Sequence, residues 1–286
     1  MELLEKNLRD HVRVLSAEIG ERDTDRYENL QAAGEYIERA FKRYSYSSES
    51  QAYLFDGKEF RNIIATQPGR RFPGEVILVG AHYDTVTGSP GADDNASGVA
   101  GILELARLFS GYPADRTLKF VAFCNEENGL VGSRVYARRA REHGEKIVAM
   151  FSLEMIGYYT DRALSQRYPP GLKYFYPDTG NFIGVVGHLR FFNLARKIKG
   201  SLKMNSTVPD EYLAGIGMIR GVSLSDHASF WREGFPSVMI TDTAFYRNPN
   251  YHMPSDTLET LDYRRMAEVV KGLYHVVISL DRQDGS

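Results

Sequence analysis

Three apolar runs, each ending in acidic or imidazole side chains, constrain this chain more than any other feature. They are EVILVGAHYD (residues 75–84), TLKFVAFCNEE (117–127) and KIVAMFSLEMIG (146–157). Runs of this kind, apolar without alternation, belong to strands buried on both faces, and such strands occur in sheets covered by helices on each side. Helical periodicity fills the gaps between them, over residues 95–110 and 130–143, so the pattern predicts a mostly parallel central sheet. In sheets of that type ligands sit beyond the carboxyl ends of the strands. The carboxyl ends of these three runs carry His82 and Asp84, Glu126 and Glu127, and Glu154. One such residue alone reads as a solvated loop group. Three runs that deliver them to the same edge read as a site.

The rest of the chain continues the alternation. Leu4, Leu8, Val12, Leu15 and Ile19 recur at three- and four-residue steps and predict an amphipathic helix closed by Gly20. A second helix is expected over about 24–43, then strands at Ser50–Phe55 and Phe60–Thr66 around the turn Asp56-Gly57. FIGVVG, a helix over about 189–199, PSVMITDT and a closing helix over about 262–281 follow. No linker or repeat divides the chain, so 1–286 is read as a single domain, with helices over about 1–43 leading into it. Residues 157–180 carry Pro169-Pro170 and several aromatics but no periodicity. A stretch that long without regular structure is usually functional. Because it follows Glu154, it is expected to line the substrate cleft, with Phe245 and Tyr246 as further pocket residues.

Composition narrows the chemistry. With 35 Lys and Arg against 37 Asp and Glu, the net charge is −2, which argues against nucleic acid or a polybasic membrane surface as partner. The single cysteine, Cys124, allows neither an intramolecular disulfide nor a cysteine-built zinc site. A metal in this chain must be held by histidines and carboxylates. No run approaches the roughly 18 apolar residues of a membrane span. Charges at Glu2, Glu5, Lys6, Arg9 and Asp10 interrupt the apolar core that a signal peptide would need, so the expected location is cytoplasmic.

Four short motifs supply groups suited to a metal. His82-Tyr83-Asp84 offers an imidazole with a carboxylate to orient it, as metal-bound histidines usually have. Gly91-Ala92-Asp93-Asp94-Asn95 enters a helix. There Asp94 or Asn95 serves either as an N-cap or, through both oxygens of Asp94, as a bridge between cations. Glu126 and Glu127 stand side by side at a buried strand end, where repulsion raises one pKa unless cations lie nearby. Tyr251-His252-Met253-Pro254 brings a second histidine in a Pro-interrupted loop. His11, His143, His188 and His275 lie in helical patterns without acidic partners and read as surface or packing residues.

Together the segments GAHYDT, PGADDNASG, FCNEENGLVGS, SLEMIG, SDHASFW and YHMPSDT resemble the zinc aminopeptidases of clan MH, peptidase family M28, in that family's order. The resemblance spans about 77–257. It implies a three-layer αβα sandwich with a mixed, mostly parallel sheet, and a co-catalytic site of two zinc ions. By motif match, His82 and Glu154 would hold one ion, Glu127 and His252 the other, and Asp94 both, with a cis peptide at Asp94–Asn95. Glu126 would be the general base and acid, and Asp84 would orient His82. Ser225-Asp226-His227 resembles the family's cleft-lining segment, so Asp226 and His227 would line the cleft and His227 could donate to the developing oxyanion, while Ser225 or Asp226 equally reads as the N-cap of a helix to Trp231. Glu154 departs from the aspartate that many family members have there, and its extra methylene changes how it reaches the ion.

The implied function is a zinc-dependent exopeptidase, foremost an aminopeptidase, acting on peptides or small amino-acid derivatives. The alternatives are a single-zinc glutaminyl-peptide cyclotransferase, a carboxypeptidase using Arg162, Arg167 or Arg247 as a carboxylate clamp, and a non-catalytic binding module. The filled ligand positions argue against the last.

Overall fold

A computed structural model describes residues 1–215 and 221–283. Its centre is an eight-stranded mixed sheet. The strands are β1 (Ser48–Phe55), β2 (Lys58–Gln67), β3 (Phe72–His82), β4 (Arg116–Phe123), β5 (Lys146–Glu154), β6 (Ile183–His188), β7 (Asp210–Gly215) and β8 (Ser237–Thr241). Their spatial order is β1-β2-β4-β3-β5-β8-β6-β7. The four central strands β4-β3-β5-β8 run parallel, β1 and β2 pair antiparallel at one side, and β6 pairs antiparallel with β8 but parallel with β7. The α/β sandwich and mixed sheet expected from the sequence are therefore found.

Among the described residues seven α-helices cover the sheet: α1 (Glu2–Arg13), α2 (Tyr27–Arg43), α3 (Gly98–Phe109), α4 (Val131–Glu142), α5 (Phe192–Asn205), α6 (His227–Arg232) and α7 (Tyr263–Asp281). Strand alternation decides which face each residue joins. Ile77, Val79 and Ala81 of β3 pack into the larger core with Leu8, Ile37, Leu103 and Val270 from α1, α2, α3 and α7. Val76 and Leu78 pack the other way, with Phe123, Tyr136 of α4 and Phe230 of α6. The continuous apolar run thus supplies both cores. Among the described residues no helix is long and apolar enough to cross a membrane.

The register aligns the polar strand ends. Gly80 of β3 pairs with Ser152 of β5, which puts His82 level with Glu154. His82 itself pairs with Phe123, three residues before Glu126.

Departures from the expected elements have local causes. The helix expected from Asn95 begins at Gly98, because Asp94 and Asn95 leave helical geometry (φ −104°, ψ 86° and φ −135°, ψ 40°). The Asn95 side chain then accepts from the Gly98 N–H at 3.1 Å, as a cap does. The first helix widens into a π turn over Val14–Ile19 before Gly20, at φ 82°, ends it. Strand β7 was not anticipated: DEYLAG is short and opens with two carboxylates. The helix expected at 189–199 starts as a 3-10 turn over Leu189–Phe191 and runs on to Asn205.

Helix α4 approaches β4 closely enough to require glycine. Gly132 N donates to Cys124 O at 2.9 Å, and a Cβ at 132 would lie 2.3 Å from that oxygen and 2.4 Å from Asn62 Oδ1. Neither neighbour is a flexible chain end, so G132A is expected to cost about 1–3 kcal/mol by overpacking. Urea denaturation checks this; a stability equal to wild type would show that α4 tolerates displacement.

Candidate metal and catalytic site

Residues from five segments meet at the carboxyl edge of the sheet. His82 ends β3, Glu126 and Glu127 follow β4, Glu154 ends β5, and Asp94 sits in the turn before α3. His252 comes from the loop before α7, in a left-handed conformation (φ 59°). His82 Nε2 lies 3.3 Å from Asp94 Oδ1 and 3.3 Å from Glu154 Oε2. His252 Nε2 lies 3.2 Å from Asp94 Oδ2 and 3.4 Å from Glu127 Oε2. Asp94 thus presents one oxygen to each of two imidazole–carboxylate groups, and each trio offers ligand atoms within 4.8 Å of one another.

This geometry passes a test of fit for metal. Both Nε2 atoms are buried and make no hydrogen bond among the described residues, as is also true of Glu127 Oε1. Buried polar atoms ordinarily find partners. Imidazole nitrogens facing carboxylate oxygens make the N/O donor set that a divalent ion such as zinc accepts.

Electrostatics show what the cluster does without a cation. Burial disfavours the charged form of His82, but Glu154 and Glu126 outweigh it and hold the imidazole well above its ordinary value. His252 behaves alike: burial opposes charge, while Asp94 and Glu127 push it up to about 10. Burial, reinforced by Asp94, raises Glu127 to about 7, and burial pushes Glu126 well above the carboxylate range.

A second layer of contacts fixes these side chains. Asp84 Oδ1 and Oδ2 accept the main-chain N–H groups of Glu126 and Glu127, both at 3.1 Å. His82 Nδ1 lies 3.2 Å from the Asp84 backbone carbonyl and 3.6 Å from its carboxylate. The Asp84 side chain therefore anchors the glutamate pair, and its main chain takes the orienting contact expected of the carboxylate. Asp256 likewise accepts the N–H groups of Asp93 and Asp94 at 2.9 and 3.0 Å. Ser225 Oγ donates to Glu154 Oε2 at 2.8 Å. The peptide Asp94–Asn95 is cis.

Arg22 carried no signal in the sequence. Its guanidinium is fully buried and donates to the carbonyls of Leu15, Gly20, Tyr83, Pro90 and Gly91, at 2.7–3.0 Å. It ties the end of β3 to the loop that carries Asp94. Gly91, at φ 61°, leaves room for it: a Cβ there would lie 2.4 Å from Asp94 O and 3.0 Å from Arg22 Nη2.

Two cavities open on the cluster. One, of about 870 Å³ including its open mouth, is lined by Val186, Met239, Phe182, Tyr176 and Tyr246 and reaches Glu154. Gln166, Arg167, Tyr168, Pro169 and Leu172, from the irregular stretch 157–180, form part of its wall. The other is lined by Asp94, Glu126, Glu127, Arg134 and Arg232. Glu154, Leu224 and Tyr251 line both. Tyr251 also stacks on His252, with ring centroids 3.7 Å apart.

Asp226 and His227 line neither cavity. His227 is fully buried, its Nε2 lies 2.8 Å from Val222 O, and its ring packs edge-on to Trp231. Burial lowers its pKa to about 4, so it is a neutral ring turned inward, with no route to an oxyanion in this conformation. Asp226 is also fully buried, and burial raises it to about 7. Arg247 is buried as well, held by Gln166 Oε1 and Phe182 O, and Arg167 donates to Phe245 O. Arg247 is therefore not a free carboxylate clamp, whereas Arg167 is exposed at the cavity wall.

Comparison with known proteins decides the family. The model of peptidase family M28 matches residues 62–277. The chain belongs to peptidase family M28. An uncharacterized protein, YfbL, of Escherichia coli (strain K12) is 39% identical over 282 residues, covering 94% of this chain and 86% of its own. Leucine aminopeptidase 1 of Trichophyton rubrum is 32% identical over 234 residues, covering 77% of this chain. This chain spans only 57% of that relative's length. Among solved structures, BSAP, a zinc aminopeptidase from Bacillus subtilis, superimposes with a TM-score of 0.80 at 16% identity, covering 99% of this chain and 96% of its own. At that identity the likeness concerns the M28 fold.

The charge state of the cluster makes a prediction. His252, raised to about 10, must lose its proton before Nε2 can ligate a metal, so binding displaces protons and tightens as pH rises. Calorimetric titration with zinc at pH 7, in buffers of different ionisation enthalpy, should report release of about one to two protons. A heat independent of buffer would remove these imidazoles from the ligand set.

Proposed function

We propose that this M28 member is a two-zinc aminopeptidase. The observation that carries the reading is the pair of buried Nε2 atoms, on His82 and His252, that make no hydrogen bond among the described residues and face opposite oxygens of Asp94. In this assignment His82, Asp94 and Glu154 would hold one ion and Asp94, Glu127 and His252 the other. Two such ions would polarise the scissile carbonyl and lower the pKa of a water molecule.

The chain's own residues supply the rest. Glu126 lines the cavity beside the ligands without belonging to either trio that contains Asp94. Its carboxylate takes the proton of the attacking water and passes it to the departing amine. Asp84 holds the Glu126 main chain in place for this transfer. Glu154, on both cavities, sets negative charge where the substrate's terminal ammonium enters. The apolar cavity beside it takes the N-terminal side chain, with Tyr246 among its walls.

Leucine p-nitroanilide, its N-acetylated form and a glutaminyl peptide separate the readings. The expected result is hydrolysis of the free-amine substrate alone, lost on chelation and restored by zinc, with about two ions per chain. E126Q should lower kcat by about 10²–10⁴-fold while keeping its zinc. Cleavage of the acetylated substrate, or cyclisation of the glutaminyl peptide with one ion bound, would overturn the proposal.

A further inference from the structure

The second cavity holds a pair of cations that the chemistry above does not use. Arg134 stands in the first turn of α4 and Arg232 ends α6. The two helices are joined by Ser133 Oγ and Ser229 Oγ, 2.9 Å apart, and by Tyr136 and Phe230, whose ring centroids are 5.9 Å apart. These contacts flank Arg134 and precede Arg232 by two and three residues, and both arginines line the cavity with Glu126 and Glu127. Both arginines are exposed, and among the described residues neither guanidinium has a hydrogen bond or an ion pair. Other arginines are engaged: Arg138 on the same helix pairs with Glu142, Arg107 with Glu104, and Arg116 with Glu75.

We infer that Arg134 and Arg232 recognise a carboxylate on the departing half of the substrate, which makes short peptides with a free carboxylate the preferred substrate class. The inference rests on the aminopeptidase reading. The apolar cavity takes the N-terminal side chain, and the two cavities adjoin at Glu154, Leu224 and Tyr251. The half of the substrate beyond the scissile bond therefore lies toward the arginines. Guanidinium groups match carboxylates in geometry and charge. Unpaired cations beside a cluster of acids also repel a basic residue from that position.

The carboxylate has two sources: the C-terminus of a dipeptide, or an acidic side chain next to the scissile bond. Zinc-loaded enzyme is assayed on Leu-Leu, Leu-Leu amide and Leu-Asp amide, and kcat/KM is compared as ratios, so that a general loss of activity cancels. We expect Leu-Leu, Leu-Asp amide or both to exceed Leu-Leu amide by about tenfold, the scale of one charge-assisted hydrogen bond. An excess for Leu-Leu identifies the terminal carboxylate, and one for Leu-Asp amide the side chain. R134Q/R232Q should bring the ratio close to one, mainly through KM, and R134K/R232K should leave it intermediate. Three substrates equal within twofold in wild type, or a ratio unchanged in R134Q/R232Q, overturns the inference and leaves the aminopeptidase reading intact. Hydrolysis of none of the three overturns both.

Discussion

The structure depends on the cost of placing Asp84, Asp94, Glu126, Glu127 and Glu154 together at one buried sheet edge. Carboxylates removed from water repel one another and need compensation. Three kinds are visible. Imidazoles of His82 and His252 face Asp94, Glu127 and Glu154. Main-chain N–H groups satisfy Asp84 and Asp256 in pairs. The buried guanidinium of Arg22 adds a positive charge near Asp256, Asp84 and Asp94. What these leave uncompensated is the negative charge into which cations fit. The cluster therefore shapes the loops around it as well as containing ligands.

Seen from that cluster, the cleft has two unlike sides. One is an apolar cavity walled by β6, β8 and the irregular stretch 157–180, and the other is a rim of charge from α4 and α6. Glu154 belongs to both. Arg247 fixes this arrangement from behind: its guanidinium holds Gln166 and the carbonyl of Phe182, joining the irregular stretch to the start of β6. Glu154 thus has apolar surface on one side and the guanidinium groups of Arg134 and Arg232 on the other.

The parts of this legible in the sequence are those whose signal is local. Strands buried on both faces leave continuous apolar runs, so β3, β4 and β5 and the polar groups at their ends stand out, and parallel register brings those groups to one level. Residues whose partners are main-chain atoms distant in sequence leave no pattern. The Arg22 guanidinium, whose described hydrogen bonds go to carbonyls, lies in a charged run just before the second expected helix. Asp256 lies inside a recognisable segment, yet nothing in that segment shows that it binds the amides of residues 93 and 94. Strand β7, short and acidic at its start, lacks the apolar run that marked the central strands. His227 illustrates a different limit. A Ser-Asp-His sequence at a helix start reads the same whether the imidazole turns toward the cleft or inward, and packing against Trp231 and Val222 turns it inward.

Glu154 shows how a departure from the family's residue is accommodated. A glutamate in place of aspartate adds a rotatable bond, and its freedom would blur the position of a ligand. Here Ser152 Oγ lies 3.0 Å from Ser225 Oγ, which in turn donates to Glu154 Oε2. Ser152 points from within β5, two residues before the glutamate, so the chain of hydroxyls ties the longer side chain back to its own strand. The same oxygen that receives the serine proton stands 3.3 Å from His82 Nε2. Conformational freedom gained with the methylene is thus removed by a hydrogen-bonded support beneath the site, and the carboxylate remains directed at His82.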